Sequence, residues 1–194
     1  MPRATILTAS SYRRMPWKNG GGETVEIAVS PEGAALSEFD WRISMATVAT
    51  GGPFSIFPGI DRTLSILDGE GMSLAIDGRA PLLLTQESAP LAFPADVAVS
   101  ATLKSGPITD LNVMTRRGGL WHRVERVVVD GEVTFGGAAG TLLVFCHRGT
   151  LDLTWTDGQA SLGEGDTLLL QDAAGMSLEM DGKALCYLIT MDPV

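Results

Sequence analysis

The sequence has few residues of the kinds that metal sites, disulfide frameworks and nucleic-acid surfaces require. Its 194 residues include two histidines, two cysteines and 14 Lys plus Arg against 23 Asp plus Glu. Two cysteines are too few for a disulfide framework. A net charge of -9 opposes binding to nucleic acid or to an anionic membrane surface. We therefore expect no nucleic acid and no membrane among its partners.

Long apolar runs are also missing. No run approaches the ~20 apolar residues of a membrane-spanning helix, and the segment MPRATILTASSYRRMPW lacks the apolar core of a signal peptide. Cys146 and Cys186 fall in the apolar stretches LLVFCH and ALCYLI. This setting favours buried, reduced thiols over a bridge between them. Together these features predict a cytoplasmic protein.

The chain instead is rich in glycine, proline and short alternating segments. Its 23 glycines and 10 prolines interrupt almost every window in which a helical face could develop. Short strand-like segments such as WRISMATV and DLNVMT alternate with Asp-Gly pairs, which favour tight hairpin turns. This spacing predicts an all-β protein, either a sandwich or a closed barrel. A faint repeat relates LSILDGEGMSLAIDG to LLVFCHRGTLDLTWTDG and suggests two similar β units.

One segment of the C-terminal half, SLGEGDTLLLQDAAG, resembles the second conserved motif of the cupin superfamily. In metal-binding cupins the first motif carries His-x-His and a Glu, and the second motif carries another His. This chain has only His122 and His147, which cannot supply three histidine ligands. We therefore expect a cupin-like barrel without metal or other cofactor, in which both histidines have structural roles.

Three long segments of the N-terminal half, MPWKNGGGETVEIAV, FDWRISMATVATGGPFSIFPGIDRTLSILDGEGM and DLNVMTRR, resemble the HutD/Ves family. The resemblance implies a bicupin, with two cupin-like antiparallel β-barrel (jelly-roll) modules in one chain. We expect the N-terminal module, with the ligand pocket, at residues 1–118, and a degenerate cupin-like module at residues 119–194. The family also implies a link to the control of histidine utilisation, by binding of an intermediate such as formylglutamate or urocanate. It further suggests a homodimer, and it supplies no catalytic residues.

Strand alternation groups short polar side chains on common faces. Arg42 and Ser44 share one face of their strand, and Asp110 and Asn112 share one face of theirs. Solvent-facing strands usually carry longer polar residues, so these faces suit the wall of a ligand cavity. The predicted ligand-binding residues are Lys18, Asn19, Gly20, Arg42, Ser44, Phe57, Arg62, Asp110 and Asn112.

The cations in this set point to an anionic ligand such as a small carboxylate. In this hypothesis the glycine loop NGGGE lies across the barrel mouth with its backbone amides facing inward. Other interpretations remain open. Lys18 fits a solvated loop charge, Phe57 fits packing of its loop on the core, and Arg62 fits a salt bridge with Asp61 or Asp110.

Two functional hypotheses follow from this set of residues. The first is a non-enzymatic protein that binds and senses a small carboxylate metabolite. The second is a metal-independent isomerase or hydrolase with Asp110 as the general base. Cationic neighbours would hold Asp110 ionised and weakly basic, whereas a good base needs a raised pKa. We therefore favour binding over catalysis and assign no catalytic residue.

Overall fold

The computed structural model describes residues 2–194, which form 17 strands and one short 3-10 helix, Ala9–Ser11. Wherever the structure defines which residues of two paired strands lie opposite each other, the strands run antiparallel. The all-β prediction is therefore confirmed. Within this range no helix is both long enough and apolar enough to cross a membrane.

The strands are numbered in chain order. The first nine are β1 (Arg3–Leu7), β2 (Arg13–Pro16), β3 (Gly22–Ser30), β4 (Trp41–Val48), β5 (Gly52–Pro53), β6 (Ile60–Asp68), β7 (Met72–Ile76), β8 (Leu82–Leu84) and β9 (Leu91–Pro94). The remaining eight are β10 (Val99–Leu103), β11 (Ile108–Arg116), β12 (Leu120–Asp130), β13 (Val133–Phe135), β14 (Thr141–Trp155), β15 (Gly158–Leu162), β16 (Thr167–Gln171) and β17 (Leu178–Pro193).

The N-terminal unit, Arg13–Leu120, contains two sheets. One has the strand order β2-β3-β4-β11-β6-β9, and the other has the order β5-β10-β7-β8. Alternate residues of both sheets, such as Leu64 and Ile66 of β6 and Met72 and Leu74 of β7, form one buried apolar cluster. Burial of these side chains is the main force that holds the two sheets together.

The C-terminal unit contains the residues up to Tyr12 together with Trp121–Val194. Its sheet has the order β1-β16-β14-β17-β12, and β13 and β15 pair with β17 and β14. The expected division after residue 118 thus needs a correction at the N-terminus. β1 belongs to this unit because Ala4 and Thr5 pair with Leu170 and Leu169 of β16, an association that local patterns do not reveal.

The two cysteines lie opposite each other on β14 and β17, and both are free and buried. Burial raises the pKa of Cys146 to about 11 and that of Cys186 to about 12. Both groups are therefore protonated, unreactive thiols at neutral pH.

The cupin-like motif of the C-terminal unit anchors the N-terminal segment. The carboxylate of Asp166 accepts hydrogen bonds from the backbone amides of Ala9 and Gly163, at 2.9 and 3.1 Å. The hydroxyl of Tyr12 lies 2.7 Å from the carbonyl oxygen of Gly165 and 2.8 Å from Oγ1 of Thr167. Burial raises the pKa of Tyr12 to about 12, so the hydroxyl keeps its proton and can donate to the carbonyl. The motif therefore has a structural role here.

Substitution Tyr12→Phe tests this anchor. We expect it to lower the free energy of unfolding by roughly 1–3 kcal/mol, because the partly buried carbonyl of Gly165 and the buried hydroxyl of Thr167 lose their partner. Ser11→Ala is the matched control, since the Ser11 hydroxyl is exposed and donates to the carbonyl of Thr8, three residues away. Urea unfolding of both variants measures the difference. Equal stabilities would contradict the structural role given to the Tyr12 hydroxyl.

Candidate functional site

The N-terminal unit contains a cavity of about 710 Å³ with a buried floor and an exposed rim. The buried polar residues of the floor are Arg42, Ser44, Arg62, Asp110 and Asn112. The exposed rim residues are Pro16, Lys18, Asn19, Leu36, Pro53 and Ser55. The volume is within the roughly 300–1,000 Å³ range typical of small-molecule sites.

Strand register explains why residues distant in sequence meet on this floor. Met114 of β11 lies between Arg42 of β4 and Arg62 of β6, so these three residues form one row across the sheet. In the next row, Asn112 lies opposite Ser44. Since all of these side chains point to the same face, three adjacent strands suffice to build the floor.

Eight of the nine residues predicted from the sequence line this one cavity. Gly20 is not among the lining residues. It lies in the loop with a φ of 70°, a conformation that glycine adopts without strain. Binding of a ligand by the eight residues stays a prediction.

Gly21 and Gly22, which follow Gly20, are explained by contacts of the loop itself. A Cβ on Gly22 would lie 2.2 Å from the carbonyl oxygen of Thr47 and 3.0 Å from the ring of Trp17. The amide of Gly21 donates to Oδ1 of Asn19 at 2.9 Å. This amide therefore serves the loop itself, contrary to the expectation that the loop's amides face into the cavity.

Arg62 is the most unusual group of the floor. It is 6% exposed, and its Cζ lies 5.4, 5.3 and 6.0 Å from the ring centroids of Phe54, Phe57 and Phe93. Its Nε has no hydrogen-bond partner in the part of the chain that the structure describes. Its Nη2 lies 3.5 Å from Sδ of Met114, and a thioether is a weak acceptor. The guanidinium is therefore buried with unused donor capacity.

The salt bridges that could have neutralised Arg62 are not formed. Asp61 instead binds Arg117, at 2.8 Å, and the ion pairs of residues 2–194 include none between Arg62 and Asp110. Burial lowers the pKa of Arg62 to about 10, against an opposing attraction from Asp110. Arg62 therefore stays protonated at neutral pH, and no residue from 2 to 194 forms an ion pair with it.

Arg42 differs from Arg62 in that its charge is already compensated. Its Nε donates to Oε2 of Glu26 at 2.7 Å, and the two side chains are 6% and 12% exposed. Such a charge-assisted bond in a poorly solvated site fixes the guanidinium in place. Arg42 lines the cavity as predicted, but one of its donors is committed to Glu26.

The sequence-based expectation that cationic neighbours hold Asp110 ionised is wrong. The residue is 2% exposed, and burial raises the pKa of Asp110 to about 7. The attraction of Arg62 and the hydrogen bond from Nδ2 of Asn112 both lower this pKa, but by less than burial raises it. Asp110 therefore changes its protonation state near neutral pH.

Sequence reasoning missed two residues that shape the site, Glu26 and Phe93. Phe93 lies directly opposite Arg62 in the β6–β9 register, and Glu26 lies opposite Ser44 in the β3–β4 register. Neither has a local signal, because each acts through a neighbouring strand. A register shift between Glu26 and Ala28 brings Glu26 onto the face of Arg42, and a regular alignment of β3 with β4 would not have shown it.

The residues present do not fit the metal of metal-binding cupins. Among residues 2–194 there is no group of three or more His, Cys, Asp or Glu side chains that could hold a metal ion. The floor carries a buried guanidinium, which repels cations. His122 and His147 belong to the C-terminal unit, and His147 lies against the rings of Phe145 and Tyr187.

Replacement of Asp110 by Asn should change how stability depends on pH. Between about pH 4 and 7 the unfolded wild type releases a proton that the folded protein retains, so folding stability falls as the pH rises. Above pH 7 both states are ionised and the penalty is constant. Asp110→Asn lacks this penalty, so relative to wild type we expect it to gain up to about 4 kcal/mol between pH 4 and pH 8.

Urea unfolding of wild type and Asp110→Asn at several pH values measures this difference. Asp77→Asn, a substitution at an exposed hairpin turn, is the control for loss of one negative charge. A stability difference between wild type and Asp110→Asn that does not vary with pH would contradict the shifted titration of Asp110.

Comparison with known proteins gives matches along almost the whole chain. The HutD family model matches residues 9–188. A protein of Pseudomonas putida, described as an uncharacterized 21.2 kDa protein in the hutC 3' region, is 34% identical over 185 residues, which cover 94% of this chain and 95% of that protein. Protein Ves of Citrobacter koseri is 39% identical over 137 residues, which cover 68% of this chain and 69% of Ves.

Solved structures agree with these sequence matches. The structure of HutD from Pseudomonas fluorescens SBW25 (formate condition) has a TM-score of 0.84 and 34% identity, and the match covers 99% of this chain and 100% of that one. The predicted resemblance to the HutD/Ves family is thereby confirmed, and the all-β fold agrees with it.

Proposed function

Since the chain belongs to the HutD family, we propose that its N-terminal unit is a non-enzymatic sensor that binds a small carboxylate metabolite. The observation that carries this proposal is the buried guanidinium of Arg62, whose Nε has no partner among residues 2–194. A buried donor without a partner costs about 1–3 kcal/mol, and more when it is charged. A carboxylate in the cavity would remove this penalty and supply the missing counter-ion.

The other walls of the cavity support a ligand with both apolar and polar parts. Phe54 and Phe57 line it beside Arg62, and Asn112 and Ser44 offer hydrogen-bonding groups on the floor. A mostly apolar cavity with a few convergent polar groups is typical of a site that fixes the orientation of a small molecule.

The metabolic setting is proposed from the relatives. The Pseudomonas putida relative is described by its position 3' of hutC, and a neighbour in structure is a HutD protein. This supports a role in modulating histidine utilisation, with formylglutamate and urocanate as candidate ligands. Each carries a carboxylate for Arg62 and a further hydrogen-bonding group, an amide or an imidazole.

We further propose that the sensor works in the cytoplasm, where such intermediates arise, and that it forms a homodimer. Two of its sheets end at the short strands β8 and β9, each of which pairs on one side in the described part of the chain. Unpaired strand edges are ready surfaces for association with a second copy.

Substitution Arg62→Gln should weaken binding of the best ligand among formylglutamate, urocanate and glutamate. We expect a loss of roughly 2–5 kcal/mol, much of it because the ligand's charge is left unpaired in a poorly solvated site. Isothermal titration calorimetry measures the affinity, and circular dichroism verifies that the variant is folded.

Three other variants define the specificity of the effect. Arg79→Gln removes an exposed guanidinium that is not among the cavity-lining residues, so affinity should not change. Lys18→Ala should have a small effect that disappears with added salt, because Lys18 is exposed. Arg42→Ala removes the other buried guanidinium, which in the wild type is paired with Glu26. If folded Arg62→Gln binds as tightly as wild type, the carboxylate site is elsewhere.

One observation favours a second candidate function, a metal-independent isomerase or hydrolase. A carboxyl group with a pKa of about 7 in a cavity is suited to general acid–base catalysis near neutral pH. The test is liquid chromatography of formylglutamate and urocanate after incubation with wild type and with Asp110→Asn. The sensor proposal predicts no conversion by either protein. Conversion by wild type that is lost in Asp110→Asn would establish the enzyme instead.

A further inference from the structure

We propose that Asp110 takes up a proton when a carboxylate binds against Arg62, so that the site recognises its ligand together with a proton. This inference rests on the proposed function and adds a specificity-determining role for Asp110. The proton comes from solvent and adds to a carboxylate oxygen of Asp110, and no other bond is made or broken.

Asp110 lies where a ligand bound to Arg62 would affect its charge. Its carboxylate is 2% exposed and lines the same floor as Arg62. Nδ2 of Asn112 donates to Oδ1 of Asp110, so one oxygen is engaged by an amide of the same strand. A backbone hydrogen bond from Ala46 of β4 also favours the ionised form, and Ile66 of β6 lies opposite Asp110 in the register. Burial outweighs these hydrogen bonds, so the buried carboxylate is poorly compensated in its ionised form.

The charged groups around Asp110 come from four parts of the unit. Arg62 is on β6, Arg42 is on β4 with its partner Glu26 on β3, and Lys18 is at the rim. Of the cavity-lining residues, Asp110 alone carries a carboxylate. Because Arg42 is paired with Glu26, the attraction of Arg62 is the main charge effect that favours the ionised form of Asp110.

A bound carboxylate reverses this balance. It adds a negative charge to a cavity that already contains the Asp110 carboxylate, and it takes Arg62 as its own counter-ion. Two carboxylates that share one poorly solvated site cannot both ionise readily, so the pKa of one is raised strongly. In the free protein the pKa of Asp110 is about 7, so any further rise makes the carboxyl neutral at physiological pH. The neutral form then has an O–H group that can donate to the ligand.

The consequence is a binding affinity that depends on pH. Below about pH 7, Asp110 is already protonated in the free protein, so binding involves little proton uptake. Above about pH 7, uptake approaches one proton per site, and affinity falls roughly tenfold per pH unit until the pH exceeds the pKa in the complex.

Calorimetry at pH 6, 7, 8 and 9 tests this behaviour, with formylglutamate and acetate as probes because their carboxylates stay ionised across this range. Titrations in phosphate and in Tris at pH 8 give the number of protons taken up from the difference in apparent enthalpy. We expect close to one proton for wild type and none for Asp110→Asn, whose affinity should not vary with pH. Glu26→Gln should keep the proton uptake, whatever its affinity, because Glu26 is not the acceptor.

Each outcome is decisive. Binding by wild type without proton uptake, or uptake that persists in Asp110→Asn, would overturn the inference and leave the proposed sensor intact. Loss of the uptake in Glu26→Gln would assign the proton to Glu26. Absence of binding by both probes at every pH would overturn the inference, and the calorimetry with urocanate and Arg62→Gln would still decide the carboxylate-binding proposal. Asp110→Asn should remain folded, because it lacks the cost of burying a charge.

Discussion

A positive charge buried among aromatic rings, with no counter-ion in contact in the described part of the chain, is the constraint on which the N-terminal site depends. Removal of a guanidinium from water costs several kcal/mol, and attraction to ring faces offsets part of this cost but accepts no hydrogen bond in the plane of the guanidinium. Three rings surround Arg62, and Asp110 attracts it from a greater distance than an ion pair. The unpartnered Nε of Arg62 among residues 2–194 is a physical reason for the cavity to attract an anion that can accept its hydrogen bond.

The two buried arginines of the floor are chemically alike but differ in what surrounds them. Arg42 lies 2.7 Å from a carboxylate of β3 and is fixed in one geometry by that bond. Arg62 is fixed by packing against the rings of Phe54, Phe57 and Phe93, which have no oxygen to accept a hydrogen bond. Arg42 therefore shapes the cavity, while the guanidinium of Arg62 is held in position with a donor available to a ligand. This positioning lowers the entropic cost of ordering the guanidinium when a ligand enters.

Much of the fold and of the cavity lining could be predicted from the sequence. Alternation along single strands correctly placed Ser44 beside Arg42 and Asn112 beside Asp110, because side chains alternate between faces in any strand. What could not be predicted depends on pairing between distant segments. The partnership of Arg42 with Glu26, the contact of Arg62 with Phe93 and the pairing of β1 with β16 all need the sheet register. The raised pKa of Asp110 could not be predicted for a related reason. It results from burial, and burial depends on how the whole unit packs.

The proposed function depends on direct contact between the guanidinium of Arg62 and the ligand. Nitrogen-15 NMR of the arginine Nε–H groups observes this atom itself, with assignment by the Arg62→Gln and Arg42→Ala variants. When formylglutamate or urocanate is added, we predict a large change in the Arg62 Nε–H resonance as it gains an acceptor. The Arg42 resonance, already bonded to Glu26, should change much less. A saturable change at Arg42 or elsewhere with no change at Arg62 would contradict the account.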